Sequence, residues 1–131
     1  MNILITLPKQ LLAKIISGEK RYEMRKSLPK NIKVGEDGFF VVEKGTDDVK
    51  CWCRVDAIKE VVMTKALAEH YSPQLCVSPQ FILDYAPAGT KIYLWQMGKV
   101  MALQDLTRGS LFVDKNPQQF AYCPLSYGES Y

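Results

Sequence analysis

Gly18-Glu19-Lys20-Arg21-Tyr22-Glu23-Met24-Arg25 is the stretch on which the reading of this chain turns. It follows a short apolar helical pattern, and a glycine at that point ends the helix. The residues after it read as a strand that carries charge. Strand side chains alternate, so Arg21, Glu23 and Arg25 share one face while Lys20, Tyr22 and Met24 share the other. Tyr22 and Met24 favour burial. The charged face is therefore expected either at the surface or lining a polar cleft.

Upstream, residues 2–7 form an apolar run that reads as a first strand. Pro8 suits the first turn of a helix, where its missing N–H costs nothing. Leu11, Leu12, Ile15 and Ile16 recur at helical spacing and give that helix one apolar face. Downstream, Pro29 closes the charged strand and residues 31–38 form a polar loop. Residues 39–42 and 49–62 flank a Gly45-Thr46-Asp47-Asp48 turn, which predicts a hairpin. Val49, Cys51, Cys53, Val55 and Ala57 alternate as its apolar face. Trp52 falls on the other face, beside Lys50 and Arg54, and is either covered by a later helix or left as a stacking surface.

Thr64 caps a helix carrying Ala66, Leu67 and Ala68. Ser78-Pro79 is an N-cap followed by proline at the first helical position, and Phe81, Ile82 and Tyr85 make that helix's apolar stripe. Residues 90–103 read as a long strand bulged at Gly98, and a last short strand starts near Gln119. Short strands outnumber helices. The order predicts an α+β fold with a small curved sheet or barrel.

Length and composition narrow the function. The 131 residues make one domain (1–131), long enough to bury roughly two thirds of the surface its unfolded chain exposes. A net charge of +3 permits an anionic partner without demanding one. No apolar run approaches the ~18 residues of a membrane span. The first residues lack a basic stretch and a small-residue cleavage site, so the cytoplasm is the expected compartment and no membrane partner is expected. Cys51 and Cys53 form a C-x-C pair, while Cys76 and Cys123 stand alone. Zinc sites draw on C-x-x-C pairs or nearby histidines, and His70 is the one histidine. Core thiols are expected, with no metal, no cofactor and no disulfide framework.

Gly18, Lys20, Glu23 and Arg25 together resemble the G-x-K-x-x-E-x-R signature of the ASCH domain family, a branch of the PUA-like superfamily linked to RNA. Two further segments carry the likeness. Residues 38–43 and 49–62 match the place of a central strand pair in ASCH domains. Residues 103–122 end in Pro117, Gln118, Phe120 and Tyr122, a string similar to the closing motif of a small bacterial and phage subgroup. The resemblance implies a PUA-like pseudo-barrel of about five or six strands flanked by short helices. It also implies that the signature borders a cleft for RNA or a nucleotide.

The residues at that cleft suit such a ligand. Lys20, Arg21, Arg25 and Lys26 supply cations, arginine as a planar fork and lysine as a point charge. Glu23 either accepts from a base amino group or holds Arg25 in position. Trp52, Phe120 or Tyr122 would stack a base, and Gln118 would read an edge. The plainer reading is a solvated charged face laced with weak ion pairs, with Phe120 and Tyr122 packed in the core.

Binding of RNA or a modified nucleotide, in a module of regulatory kind, is the leading expectation; a protein-interaction domain is a third option, and the sequence leaves a protein partner unknown. The alternative is a small hydrolase acting on a nucleoside or on RNA. One related group, small bacterial amidohydrolases of acetylated cytidine, is expected to use a lysine, a threonine and a glutamate. Lys20 matches the lysine, but Glu23 occupies the threonine position and removes the hydroxyl nucleophile. Glu60 and Glu69 both lie in the region of the glutamate. Lys20 with Glu23 would then carry acid–base work only if burial shifted them.

Overall fold

The computed structural model describes residues 2–123. In chain order it contains β1 (Asn2–Leu7), α1 (Lys9–Ile16), β2 (Tyr22–Arg25), β3 (Gly38–Glu43), β4 (Val49–Val62), α2 (Lys65–Leu75), α3 (Pro79–Tyr85), β5 (Lys91–Ala102), a 3-10 turn (Arg108–Leu111) and β6 (Ala121–Cys123). The six strands form one mixed sheet in the order β2-β5-β4-β3-β1-β6. β1 and β3 pair in parallel; the remaining neighbours are antiparallel. The fold is α+β with six strands, as the sequence suggests, but the sheet is open. Among the described residues no strand pairing joins β2 to β6.

The sheet nevertheless curls. β2 and β1 are four strands apart, about 19 Å across a flat sheet. Yet Arg25 Nη2 on β2 donates to the Thr6 carbonyl on β1 at 3.4 Å. Inside the curl, Ile3, Ile5, Phe39, Val41, Cys51, Cys53, Val55 and Trp95 pack with Leu12 and Ile15 of α1. Outside it, α2 and α3 cover Met24, Ile92 and Leu94. The segment after β5 lays Leu111 and Val113 over Leu4, Phe40, Val42 and Val49. β1 and β3 are buried on both faces, which explains their unbroken apolar runs.

Local chemistry sets the helix starts. Thr64 Oγ1 accepts from the Leu67 N–H at 3.1 Å, and Ser78 Oγ accepts from the Phe81 N–H at 3.1 Å. Gly18, at φ 84°, takes the left-handed turn after α1 that returns the chain to β2.

Several expectations need correction. Alternation along β4 is broken opposite Val41/Val42 and between Val55 and Ala57, while the shift between Cys53 and Val55 places its extra residue on β5. Each bulge inserts a residue and flips the faces that follow. Val49 therefore packs outside with Val42, while Ile58 replaces Ala57 on the inside. Gly98 sits at this irregularity, where a Cβ would strike the Asp56 carboxylate. The last short strand is present and begins at Ala121, two residues beyond Gln119. Among the described residues no helix is long and apolar enough to cross a membrane.

Candidate functional site

β2 carries the site's charges inward. Its outer face gives Met24 and Tyr22 to the helices, as expected. Its inner face is not exposed and does not open to solvent: Glu23 and Arg25 are buried. Lys20 joins them there, contrary to the simple alternation, because regular strand geometry starts only at Tyr22. Arg21 is the one left outside.

The three buried charges satisfy one another and the backbone. Lys20 Nζ donates to the Tyr22 carbonyl at 2.7 Å and the Leu75 carbonyl at 3.2 Å, and lies 3.5 Å from Glu23 Oε1. Glu23 Oε1 accepts from the Met24 N–H at 2.9 Å, and Oε2 accepts from Arg25 Nη2 at 3.1 Å. Arg25 Nη1 donates to the carbonyls of Gln118 at 3.3 Å and Gln119 at 3.0 Å. Burial alone would push the Glu23 carboxyl up. The Lys20 and Arg25 charges, with the Met24 N–H, outweigh it and hold Glu23 below the usual carboxylate range. The Cys53 thiol beside them is pushed up by its hydrogen bond with Cys51, by burial and by the Cys51 and Glu23 charges.

Lys20 Nζ donates to two carbonyls and has the Glu23 carboxylate as its ion-pair partner. Each Glu23 oxygen accepts from a protein donor, and Lys20, Glu23 and Arg25 together tie β2 to the end of α2 and to the segment before β6. The catalytic roles considered for Lys20 and Glu23 would act on side chains that are buried and already bonded to protein atoms.

The open space lies one row along. Residues directly opposite on paired strands point to the same side. Arg25 stands opposite Tyr93 on β5, and Tyr93 opposite Glu60 on β4. The next row is Glu23, Trp95 and Ile58. Tyr93, Ile58 and Glu60 form one wall of a groove of about 580 Å³, and residues 28–32 with Val34 form the other. That volume falls within the roughly 300–1,000 Å³ of small-ligand sites. Two other hollows, one beside Asp48 and Lys50 and one beside Thr46 and Arg108, contain no aromatic side chain.

The remaining sequence candidates divide. Phe120 packs against the inner core and stands edge-on to Tyr122, centroids 5.4 Å apart at 90°. Tyr122 is 45% exposed, and its hydroxyl accepts from the Lys30 N–H at 2.9 Å, which brings it to the groove rim. Lys26 is exposed, with Nζ 4.4 Å above the Tyr85 ring. Gln118 contributes its carbonyl to Arg25, not its side chain. Trp52 is not at the site. It lies on the outer face of β4, half-buried against the segment that follows β5, and its indole N–H donates to Asn2 Oδ1 at 3.0 Å. Among the described residues its cluster contains no α-helical side chain. Glu60 lies in the groove, whereas Glu69 is exposed on α2. Sequence reasoning missed Lys30, Asn31, Ile58 and Tyr93. Tyr93 had a signal, since it alternates with Trp95 on an inward face; the loop residues had none. No group of three or more metal-ligating side chains exists among the described residues.

No family model matches the sequence, and no curated protein matches it. Solved structures do. The crystal structure of ASCH from Zymomonas mobilis matches with a TM-score of 0.77 over 92% of this chain and 86% of that one, at 17% identity. Two single-site mutants of that protein match with TM-scores of 0.77 and 0.74, at 17% and 18% identity, over 92% of this chain and 87% and 88% of theirs. Likeness at this identity speaks for the fold alone: this chain has the fold of the Zymomonas mobilis ASCH protein.

Proposed function

We propose that the chain is a binding module for RNA or a modified nucleotide, with one nucleotide unit held in the groove between residues 28–34 and the β4–β5 wall. The observation that carries this is the groove's lining. It combines an aromatic ring (Tyr93), an apolar bed (Leu28, Ile32, Val34, Ile58), an amide (Asn31), a carboxylate (Glu60) and a cation (Lys30). A base needs a stacking surface and edge-reading polar groups, and its phosphate needs a cation. The buried Lys20–Glu23–Arg25 cluster supports this site as scaffold: it fixes β2 against the segment that forms the rim. Binding is favoured over hydrolysis because Lys20 and Glu23 are buried and bonded to protein atoms away from the open groove.

Fluorescence anisotropy with a short single-stranded RNA tests the proposal. Wild type should bind saturably, and more weakly as salt rises, since phosphate contacts release counterions. Lys30→Glu and Tyr93→Leu should each weaken binding. A flat titration with RNA, together with no binding of acetylated cytidine or other nucleosides by folded protein, would overturn it.

A further inference from the structure

We infer that the hollow beside the β3–β4 turn is a second ligand site, for a small phosphorylated polyhydroxy compound of the sugar-phosphate kind. It is independent of the groove reading. The two share no lining residue, and the hollow lies before the start of β4 whereas Ile58 and Glu60 lie near its end.

Gly45, Thr46, Asp47, Arg108 and Asn116 enclose about 550 Å³, a volume within the small-ligand range. Backbone bonds fix these walls in advance. The Arg108 N–H donates to the Asp47 carbonyl at 2.9 Å, and Asn116 Nδ2 donates to the Thr46 carbonyl at 2.8 Å. Thr6 Oγ1 donates to the Pro117 carbonyl at 2.8 Å and so holds the segment that carries Asn116. The Thr46 hydroxyl is used within the turn, donating to the Glu43 carbonyl and accepting from the Asp48 N–H, both at 3.0 Å. On the Gly45 side an added Cβ would meet nothing within 4 Å, so the turn leaves that side open.

Inside this frame the polar groups lack partners. The one side-chain bond of Arg108 runs from Nη1 to the Thr46 carbonyl at 3.5 Å, the outer limit of a hydrogen bond. Among the described residues no carboxylate forms an ion pair with it. Its Nε and the Oδ1 of Asn116 are both buried without a hydrogen-bond partner. Arginines withdrawn from water are normally paired, and an unbonded buried polar atom in a native fold calls for a partner. One of these two atoms is a charged donor and the other an acceptor. Asp47 brings a second acceptor.

This inventory selects the ligand. One guanidinium takes one anionic group, and a phosphate monoester offers its fork paired acceptor oxygens. Seating it turns the guanidinium away from the long Thr46 bond and engages Nε. Asn116 Oδ1 and Asp47 need donors, which a phosphate dianion lacks and hydroxyl groups supply. The lining contains no ring, so nothing stacks a base. A bare phosphate fills only a small part of the hollow, whereas a compact carrier bearing several hydroxyls meets every group in it.

The test is a ¹H–¹⁵N correlation titration of wild type and Arg108→Gln with ribose 5-phosphate, and with ribose and inorganic phosphate as its two halves, at constant ionic strength. Saturable shifts are expected at the amides of residues 45–47 and at the Asn116 side-chain amide. Ribose 5-phosphate should bind at least about tenfold tighter than either half, and Arg108→Gln should lose about the same factor. The comparison of whole and halves decides the matter on wild type alone if the variant does not fold. Equal affinity for inorganic phosphate would mean an adventitious anion only and would overturn the proposal. So would undiminished binding by folded Arg108→Gln, shifts centred away from the hollow, or no shifts at all. A nucleoside monophosphate bound more tightly here than ribose 5-phosphate would contradict the exclusion of a base and overturn it as well.

Discussion

Arg25 and Gln119 lie on opposite sides of the sheet's open seam and are joined across it, Arg25 Nη1 donating to the Gln119 carbonyl at 3.0 Å. A side chain thus does what strand pairing does elsewhere in the sheet. Its guanidinium also reaches Gln118, Thr6 and Glu23. One buried charge therefore sets the position of the segment that carries Phe120 and Tyr122.

Removing Arg25 should be costly. Arg25→Met keeps bulk but leaves Glu23 with one fewer cation and three carbonyls without their donor. Losing one partner of a buried pair typically costs about 3–5 kcal/mol. Urea denaturation should show a loss of that order; a loss below about 1 kcal/mol would mean the seam is held by other contacts.

Acid stability should depend on Glu23. Its carboxyl is held below the ordinary range in the folded chain, so the unfolded chain takes up the proton first as pH falls. The stabilisation is complete above the unfolded carboxyl value, about 4.3, and is lost as pH drops through the folded value beneath it. Thermal melts between pH 7 and pH 2 should show a shallower acid-side decline for Glu23→Gln than for wild type. Parallel declines would contradict the assignment.

Two glycines should respond unequally. A Cβ on Gly38 would strike the backbone carbonyl of Cys53 and come within 2.7 Å of the Trp52 ring. At Gly98 it meets the end of the Asp56 side chain, which a rotation can move. Gly38→Ala should cost about 2 kcal/mol or more, and Gly98→Ala clearly less, in the same denaturation assay.

Thiol reactivity should single out Cys76. Cys51 and Cys53 are buried, and burial pushes the Cys123 thiol up to about 12. Thiolate is the reactive form, so brief alkylation of native protein at pH 8 should label Cys76 first. Mass spectrometry showing equally fast labelling of Cys51 or Cys53 would mean the inner core opens readily.

Much of the fold was legible because its signals are local. The Thr64 and Ser78 caps, the turn around Gly45 and the apolar runs of β1 and β3 each act within a few residues. The bulges in β4 were not legible, since they depend on pairing with β5, so Val49 and Ala57 were placed on the wrong face. The charged strand misled for a related reason. Alternation shows which side chains travel together, but not that a curled sheet buries both sides. Arg25 is tolerated inside because Gln118 and Gln119, more than ninety positions away in sequence, supply carbonyls. Trp52 is covered by the segment after β5, a partner no local pattern announces. The groove's loop wall is equally invisible, because residues 28–34 lack periodicity.

The most direct test of the central claim is a ¹H–¹⁵N correlation titration of the folded protein with a short single-stranded RNA. The account predicts shifts concentrated on residues 28–34, Ile58, Glu60, Tyr93 and Tyr122, with the outer face around Trp52 unmoved. Shifts centred on Trp52 or on α2, or no shifts at saturating RNA, would contradict it.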